Sequence, residues 1–301
     1  MSGARLIVNA DDFGLSIGIT DGICLAHRHG IVTSTSVIVN TPAFDYAIGR
    51  LDEFPSLGVG VHLNVCQGRP VLPRERVRTL IDATGKFHSP AAMARKLTLW
   101  QVDPWELESE FRAQIQWLKW HAGNVLHADS HQHMHLYPAA VLPFAHAVAA
   151  EDIPCIRTAR CRSWASSQSL GSPHAGGIVR RRTVALYRST LQRTALARFD
   201  APQGRLCFPA RDKEPDWHAT FSALPPGTFE LSCHPGLVQP GFSHSDRISS
   251  QREDELRQLT SPQIRDAVER SGVELITYAD LCHRQSEALR LAAAPLERHV
   301  G

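Results

Sequence analysis

The stretch Asn124-Val125-Leu126-His127-Ala128-Asp129-Ser130-His131-Gln132-His133-Met134-His135 sets the reading of the whole chain. It starts as a short apolar run over 124–128 and continues as a string in which every second residue is His or Asp. Side chains of a β-strand point alternately to its two faces, so residues two apart share one face. His127, Asp129, His131, His133 and His135 are therefore expected on one face, with Ala128, Ser130, Gln132 and Met134 on the other. Tyr137-Pro138 ends the run, and 138–150 has helical character. A polar cluster at the C-terminal end of a strand, followed by a helix, is where α/β proteins keep their ligands.

Four imidazoles and a carboxylate on one face are costly to bury without partners. That density favours a metal or acid–base site over a solvated polar edge. Alternate strand residues lie about 6.6 Å apart, too far for two imidazoles to meet one ion unless the chain bends. One or two ligands from this stretch, with the rest from elsewhere, is the expectation.

The strand–helix rhythm recurs along the 301 residues. Strands are expected at 5–10, 34–40, 57–63, 154–158, 227–233 and 273–277. Helices are expected at 17–29, 42–51, 106–121, 178–199, 251–271 and 279–294, with a loop at 162–177. Residues 64–104 break the rhythm with Gly, Pro and charge, and read as a long loop or small insertion. Short strands alternating with helices imply a parallel sheet. Seven or eight such units favour a closed barrel over an open doubly wound sheet. No linker divides the chain, so residues 1–301 read as one domain.

A chain that is 43% hydrophobic and 21% charged is an ordinary globular composition. A net charge of +2 gives no sign of nucleic acid as a partner. Ten Arg and one acid, Asp200, lie between Arg157 and Arg205; this is a solvated basic face or a patch for an anionic substrate or lipid headgroup. The seven Cys are odd in number and lack CxxC spacing, which argues against a disulfide framework or a zinc knuckle. There is no leader-like N-terminus and no run of 18 apolar residues, so no membrane span is expected and a reducing cytoplasmic setting is the default. A homodimer is compatible with such a barrel, although no stretch marks an interface.

Four strand ends carry polar clusters that a barrel would bring to one rim: Asp11-Asp12, then His62 with Asn64, then the His-rich stretch, then Ser232-Cys233-His234-Pro235-Gly236. Alone, Asp11-Asp12 reads equally as turn chemistry, His62 more readily as a structural residue and His234-Pro235-Gly236 as a plain turn; their weight comes from the company of the His-rich stretch. Adjacent Asp11 and Asp12 reach one site only if the chain turns there, which Gly14 makes plausible. A Cys233–His234 dyad is poor geometry, since neighbours on a strand face apart. GxGxxG, P-loop, HExxH and GxSxG patterns are absent. A carboxylate with two or more imidazoles suits a divalent metal with open positions for water, and hence hydrolysis of an amide or ester.

The segments Leu6-Ile7-Val8-Asn9-Ala10-Asp11-Asp12-Phe13-Gly14-Leu15-Ser16, Gly30-Ile31-Val32-Thr33-Ser34-Thr35, Gly60-Val61-His62-Leu63, Asp129-Ser130-His131-Gln132-His133-Met134-His135 and Cys233-His234-Pro235-Gly236 resemble, in this order, the YdjC/ChbG carbohydrate deacetylases. The resemblance implies an irregular (β/α) barrel of about seven strands, similar to the NodB-type polysaccharide deacetylases. It implies removal of an N-acetyl group from a chito-oligosaccharide or related amino sugar. It assigns Asp12, His62 and His131 to one divalent metal, magnesium or zinc, Asp11 to the base and His234 to the acid. Asn64, Asp129, His133 and His135 are expected to bind substrate or to support the ligands. A branch acting on a hopanoid-linked amino sugar, and ester or phosphoester hydrolysis on the same barrel, are the alternatives. The stretches 66–101 and Arg180-Arg181-Arg182 match no pattern that fixes the substrate.

Overall fold

The computed structural model describes residues 3–157, 201–208, 215–238 and 249–282. Its first strand, β1 (Ala4–Phe13), is central. It is followed by α1 (Ile17–His29), β2 (Ser34–Val37), α2 (Phe44–Leu51), β3 (Gly58–Leu63), α3 (Pro90–Thr98), α4 (Pro104–Ala122) and β4 (His127–Ser130). A 3-10 segment over His131–Leu136 leads to α5 (Val141–Ala150) and β5 (Cys155–Ile156). Then come β6 (Gly204–Cys207), α6 (Trp217–Ser222), β7 (Gly227–Cys233), α7 (Ser249–Leu259), α8 (Pro262–Ser271) and β8 (Glu274–Ile276).

The strands pair in the order β5-β4-β3-β2-β1-β7-β6, and β8 lies against the first half of β1. Among the described residues every pairing between these strands is parallel. The sheet is therefore a curled half-barrel whose strand ends share one rim, the NodB-like (β/α) arrangement. Leu6, Val8 and Ala10 of β1 enter the outer core against the helices. Ile7 faces inward and packs with Cys155, Ile276 and Tyr278 at the bottom of the barrel. One step higher, the His127 ring stacks on Tyr278 at 3.8 Å. Gly60 must be glycine for this to fit, because a Cβ there would lie 2.2 Å from the His127 ring.

Local chemistry sets the helix starts. Ser16, Asp103, Asp216 and Ser261 each accept a backbone N–H of the first turn of the helix that follows. The helix expected over 251–271 is two helices. Pro262 has no N–H for an intrahelical bond and opens α8 instead. Strand β6 was not anticipated. The expected loop at 162–177 and basic helix at 178–199 lie outside the described residues, as does most of the helix expected at 279–294.

Between β3 and α4 the chain leaves the barrel path. It forms a 3-10 turn at Arg74–Arg76, an antiparallel bridge between Ile81 and Phe87, and α3. Buried Glu110 on α4 anchors this segment by accepting the backbone N–H groups of Val71 at 2.8 Å and Leu72 at 3.0 Å. Cys155 and Cys282 are joined as a single disulfide, while Cys24, Cys66 and Cys233 are free, so the described residues hold one bridge and not the multi-bridge framework that the cysteine count argued against. The separation of 127 residues between the bridged pair left no local spacing to notice. Among the described residues no helix is long and apolar enough to cross a membrane.

Candidate active site

The two adjacent carboxylates reach one place because β1 breaks its pleat. Its register with β2 shifts between Ala10 and Phe13, and Asp12 takes a φ of 73°. Such a bulge re-aims a side chain that would otherwise face the opposite way. The turn is thus made at Asp12 itself, two residues before Gly14. Asp11 and Asp12 are both buried.

The His-rich stretch also bends, and here the expected single face fails. The strand ends at Ser130, and Gln132 and His133 adopt φ of 51° and 56°. Asp129 still faces inward beside His62, while His131 starts the bend and comes to Asp12. His133 lies against Arg205, with Nε2 3.0 Å from Nη1. His135 turns away: its Nδ1 pairs with Ser130 Oγ at 2.5 Å, and its ring stacks on Phe144 of α5. His127 sits below the rim on Tyr278. Asn64 is fully buried, and its amide oxygen accepts the N–H groups of Cys66 and Gln67 at 3.1 Å each. Its Nδ2 donates to Asn40 and to the Gln67 carbonyl. That side chain holds the start of the long segment.

Asp12, His62 and His131 converge. Asp12 Oδ1 is 2.8 Å from His131 Nδ1 and 3.4 Å from His62 Nε2. Such separations suit neighbouring ligands of one ion bonded at about 2.0–2.1 Å. The surroundings fit as well. His62 Nδ1 is held at 2.6 Å by Asp129, which leaves Nε2 aimed at Asp12. Carboxylate support on the far nitrogen is what orients a ligating imidazole. The second oxygen of Asp12 accepts from Arg252 Nη2 at 2.5 Å. A rival set of Asp11, His62 and Asp129 is equally compact. It already holds a cation, since Arg157 contacts Asp11 at 2.5 and 2.7 Å and Asp129 at 2.6 Å.

Arg157, at the end of β5, is an interior strut. It joins Asp11 on β1, Asp129 on β4 and Glu230 on β7. Burial opposes the charge on Asp11, but the Arg157 guanidinium outweighs it and holds this carboxyl well below the usual range. Burial likewise opposes Asp12, and His131 and Arg252 hold it low. Burial disfavours a charged His62, yet Asp129 and Asp12 raise it to about 10. A metal at this site must therefore displace a proton from His62. Ser36 Oγ ties the lower layer together, accepting from Asn9 at 2.9 Å, lying 3.1 Å from His127 Nε2 and donating to Asp129 at 3.0 Å.

His234 stands on the other side of Asp11, with Nε2 3.7 Å from Oδ2. Its backbone N–H donates to Glu255 Oε2 at 2.5 Å. Arg157, Glu230, Arg205, Arg252 and Glu255 were not expected in the site. Glu230 had a readable signal, being the one charge within the strand Gly227-Thr228-Phe229-Glu230-Leu231-Ser232-Cys233. The helix residues Arg252 and Glu255 had none.

The family profile described as YdjC-like protein matches residues 5–270. The chain belongs to the YdjC-like family. This YdjC-like chain is 29% identical to a carbohydrate deacetylase of Enterococcus faecalis, over 93% of its own length and 99% of that protein. It is 27% identical to a carbohydrate deacetylase of Vibrio vulnificus (strain CMCP6), over 92% of its length and 96% of that protein. Identity reaches 42% with a carbohydrate deacetylase of Brevibacillus brevis, where the match spans 49% of this chain and only 56% of that relative. A crystal structure of an Enterococcus faecalis protein, provisionally described as a cellobiose-phosphate cleavage protein, superposes with a TM-score of 0.72 at 26% identity. That superposition covers 92% of the YdjC-like chain and 98% of the other.

Proposed function

We propose that this chain is a metal-dependent hydrolase that removes an N-acetyl group from an amino sugar such as a chito-oligosaccharide. The observation that carries the reading is the meeting of Asp12, His62 and His131, with Asp11 and His234 beside them. The relatives that align over nearly the whole chain are named carbohydrate deacetylases. The donor set of two imidazoles and one carboxylate favours zinc or another transition ion over magnesium.

Asp12, His62 and His131 would hold a divalent ion, which when bound would supply Lewis acidity toward a water and the amide carbonyl. The protein's own part is positioning and proton transfer. Asp11 is ionised at neutral pH and takes the proton of the attacking water. Arg157 grips both its oxygens and fixes the direction in which it can accept. His234, at the half-open side of the site, delivers a proton to the departing amine nitrogen. Asp129 and Ser36 keep His62 in the tautomer that faces Asp12. Two of the arginines that prompted an ester or phosphoester alternative are described, and both are engaged internally: Arg157 with three carboxylates, Arg205 with His133.

Incubation with N-acetylated chito-oligosaccharides and zinc or magnesium is expected to release acetate, and a chelator is expected to stop it. Asp11→Asn should keep the metal and lose about 10²–10⁴-fold in turnover. Absence of acetate with either metal overturns the reading, and a fully active Asp11→Asn removes Asp11 from the role of base.

A further inference from the structure

The last helix before α8 reaches into the site from its far side. Arg252 and Glu255 are three residues apart on α7 and so share one face. Arg252 is 1% exposed despite its charge. Nη2 donates to Asp12 Oδ2 at 2.5 Å, and Nη1 donates to the His234 carbonyl at 3.4 Å. The Arg252 backbone carbonyl accepts the Gly236 N–H at 3.2 Å. Glu255 takes the His234 N–H. From the opposite side, Leu237 N–H donates to the Gly18 carbonyl of α1 at 3.0 Å. A Cβ on Gly22 would lie 2.5 Å from the Gly236 Cα, so α1 and this loop touch backbone to backbone. The loop over 234–237 is thus held between α1 and α7.

We propose that Arg252 is a positioning residue that couples the metal-side carboxylate to the proton-donor loop. It occupies one oxygen of Asp12, so that only Oδ1 faces His62 and His131. With its other nitrogen it fixes the main chain that carries His234. The spacing between the metal ligands and His234 is then set by one rigid, planar fork. A lysine ammonium keeps the charge but lacks the fork that serves two partners at fixed angles. Arg252 is buried beneath both groups and acts through them. The inference rests on the metal reading of Asp12, His62 and His131.

The test uses the full chain stripped of metal, titrated with zinc by calorimetry, beside hydrogen exchange of the backbone over 234–237. Arg252→Met is expected to bind zinc about 10- to 100-fold more weakly and to exchange faster at 234–237. Arg252→Lys is expected to regain part of the zinc affinity while its loop still exchanges fast. In turnover, both are expected to lose kcat with little change in KM. Arg257→Met, on the exposed face of the same helix, is the control and should match the parent. If Arg252→Met does not fold, Arg252→Lys carries the test alone. Zinc affinity within about two-fold of the parent, against the 10- to 100-fold loss expected for a ligand-supporting group, overturns the coupling. So does unchanged exchange at 234–237. A parent that binds no zinc overturns the metal reading together with this inference, whereas a parent that binds while the variants match it overturns this inference alone.

Discussion

Arg157 bridges three carboxyl groups in an interior where none of the four groups meets bulk water. Burial opposes ionisation of all three; the single positive charge of Arg157 still holds Asp11 and Asp129 low, while burial prevails at Glu230 and pushes it up. Removing one partner of a buried ionic cluster leaves uncompensated charge, at a cost of about 3–5 kcal/mol. Arg157→Met is therefore expected to lose roughly that much in urea denaturation, and turnover with it. A loss below about 1 kcal/mol, the range of exposed pairs, would show that the cluster is open to solvent. Gly60 offers a second test at this scale. Gly60→Ala sets a methyl against the His127 ring and is expected to cost about 1–3 kcal/mol through overpacking. Single residues were legible where their type was rare for the place: His62 at a strand end, Asp11-Asp12 before Phe-Gly, and the His-Asp string. Arg157 closed an expected strand and looked like any surface arginine. Its role depends on Glu230 and Asp11, 73 and 146 residues away, and no local pattern encodes that.

The His-rich element was recognised as a strand end, but its period of two was followed too far. Alternation describes a strand only while the backbone stays extended, and two successive left-handed residues, Gln132 and His133, end it. Gln is not a usual occupant of that region, and His, although more tolerant of it, is too abundant in this stretch to have marked the bend. The bend is what lets His131 reach Asp12 while His135 packs under α5. Gln132 is exposed, so Gln132→Gly should relieve backbone strain and gain up to about 1 kcal/mol. Gln132→Val should lose stability and, by straightening the bend, weaken zinc binding. If thermal unfolding ranked valine above glycine, the bend would not be a fixed feature. The split between α7 and α8 was legible in principle: Ser261-Pro262 is a helix start, and Pro262 inside the expected helix marked it.

At the scale of the molecule, the buried imidazoles set a pH optimum for the metal-free protein. Burial holds His127 and His135 neutral, down to about 3 from an ordinary 6.5. The stability tied to them is complete above that ordinary value and is lost as pH falls toward 3. His62 works the other way. Burial opposes its charge, but Asp129 and Asp12 raise it from 6.5 to about 10. Its contribution is full below 6.5 and fades as pH climbs to 10. Each proton difference between the folded and unfolded chain changes stability by up to about 1.4 kcal/mol per pH unit. Urea midpoints without metal should therefore peak near pH 6.5 and fall on both sides. Zinc should remove the alkaline decline, because the ion replaces the His62 proton. A metal-free midpoint that kept rising to pH 9 would contradict this. The barrel class was legible from the strand–helix rhythm, since that depends on short-range pattern. The extra strand β6 and the Cys155–Cys282 link depend on long-range closure that rhythm does not carry.

One such closure bears on how the protein is made. Strand β1, which delivers Asp11 and Asp12, is completed by β7 and β8 from the other end of the chain, and Asp12 finds Arg252 across 240 residues. During synthesis the first strand leaves the ribosome with β2 close behind it but long before β7 and β8 exist. The nascent chain must therefore carry a strand paired along one edge by β2 alone, its other edge open until β7 is made and its first half uncovered until translation passes residue 276. On the metal reading proposed above, capture of the ion would be a late, post-translational event, and fragments released earlier would hold Asp12, His62 and His131 without the scaffold that aligns them.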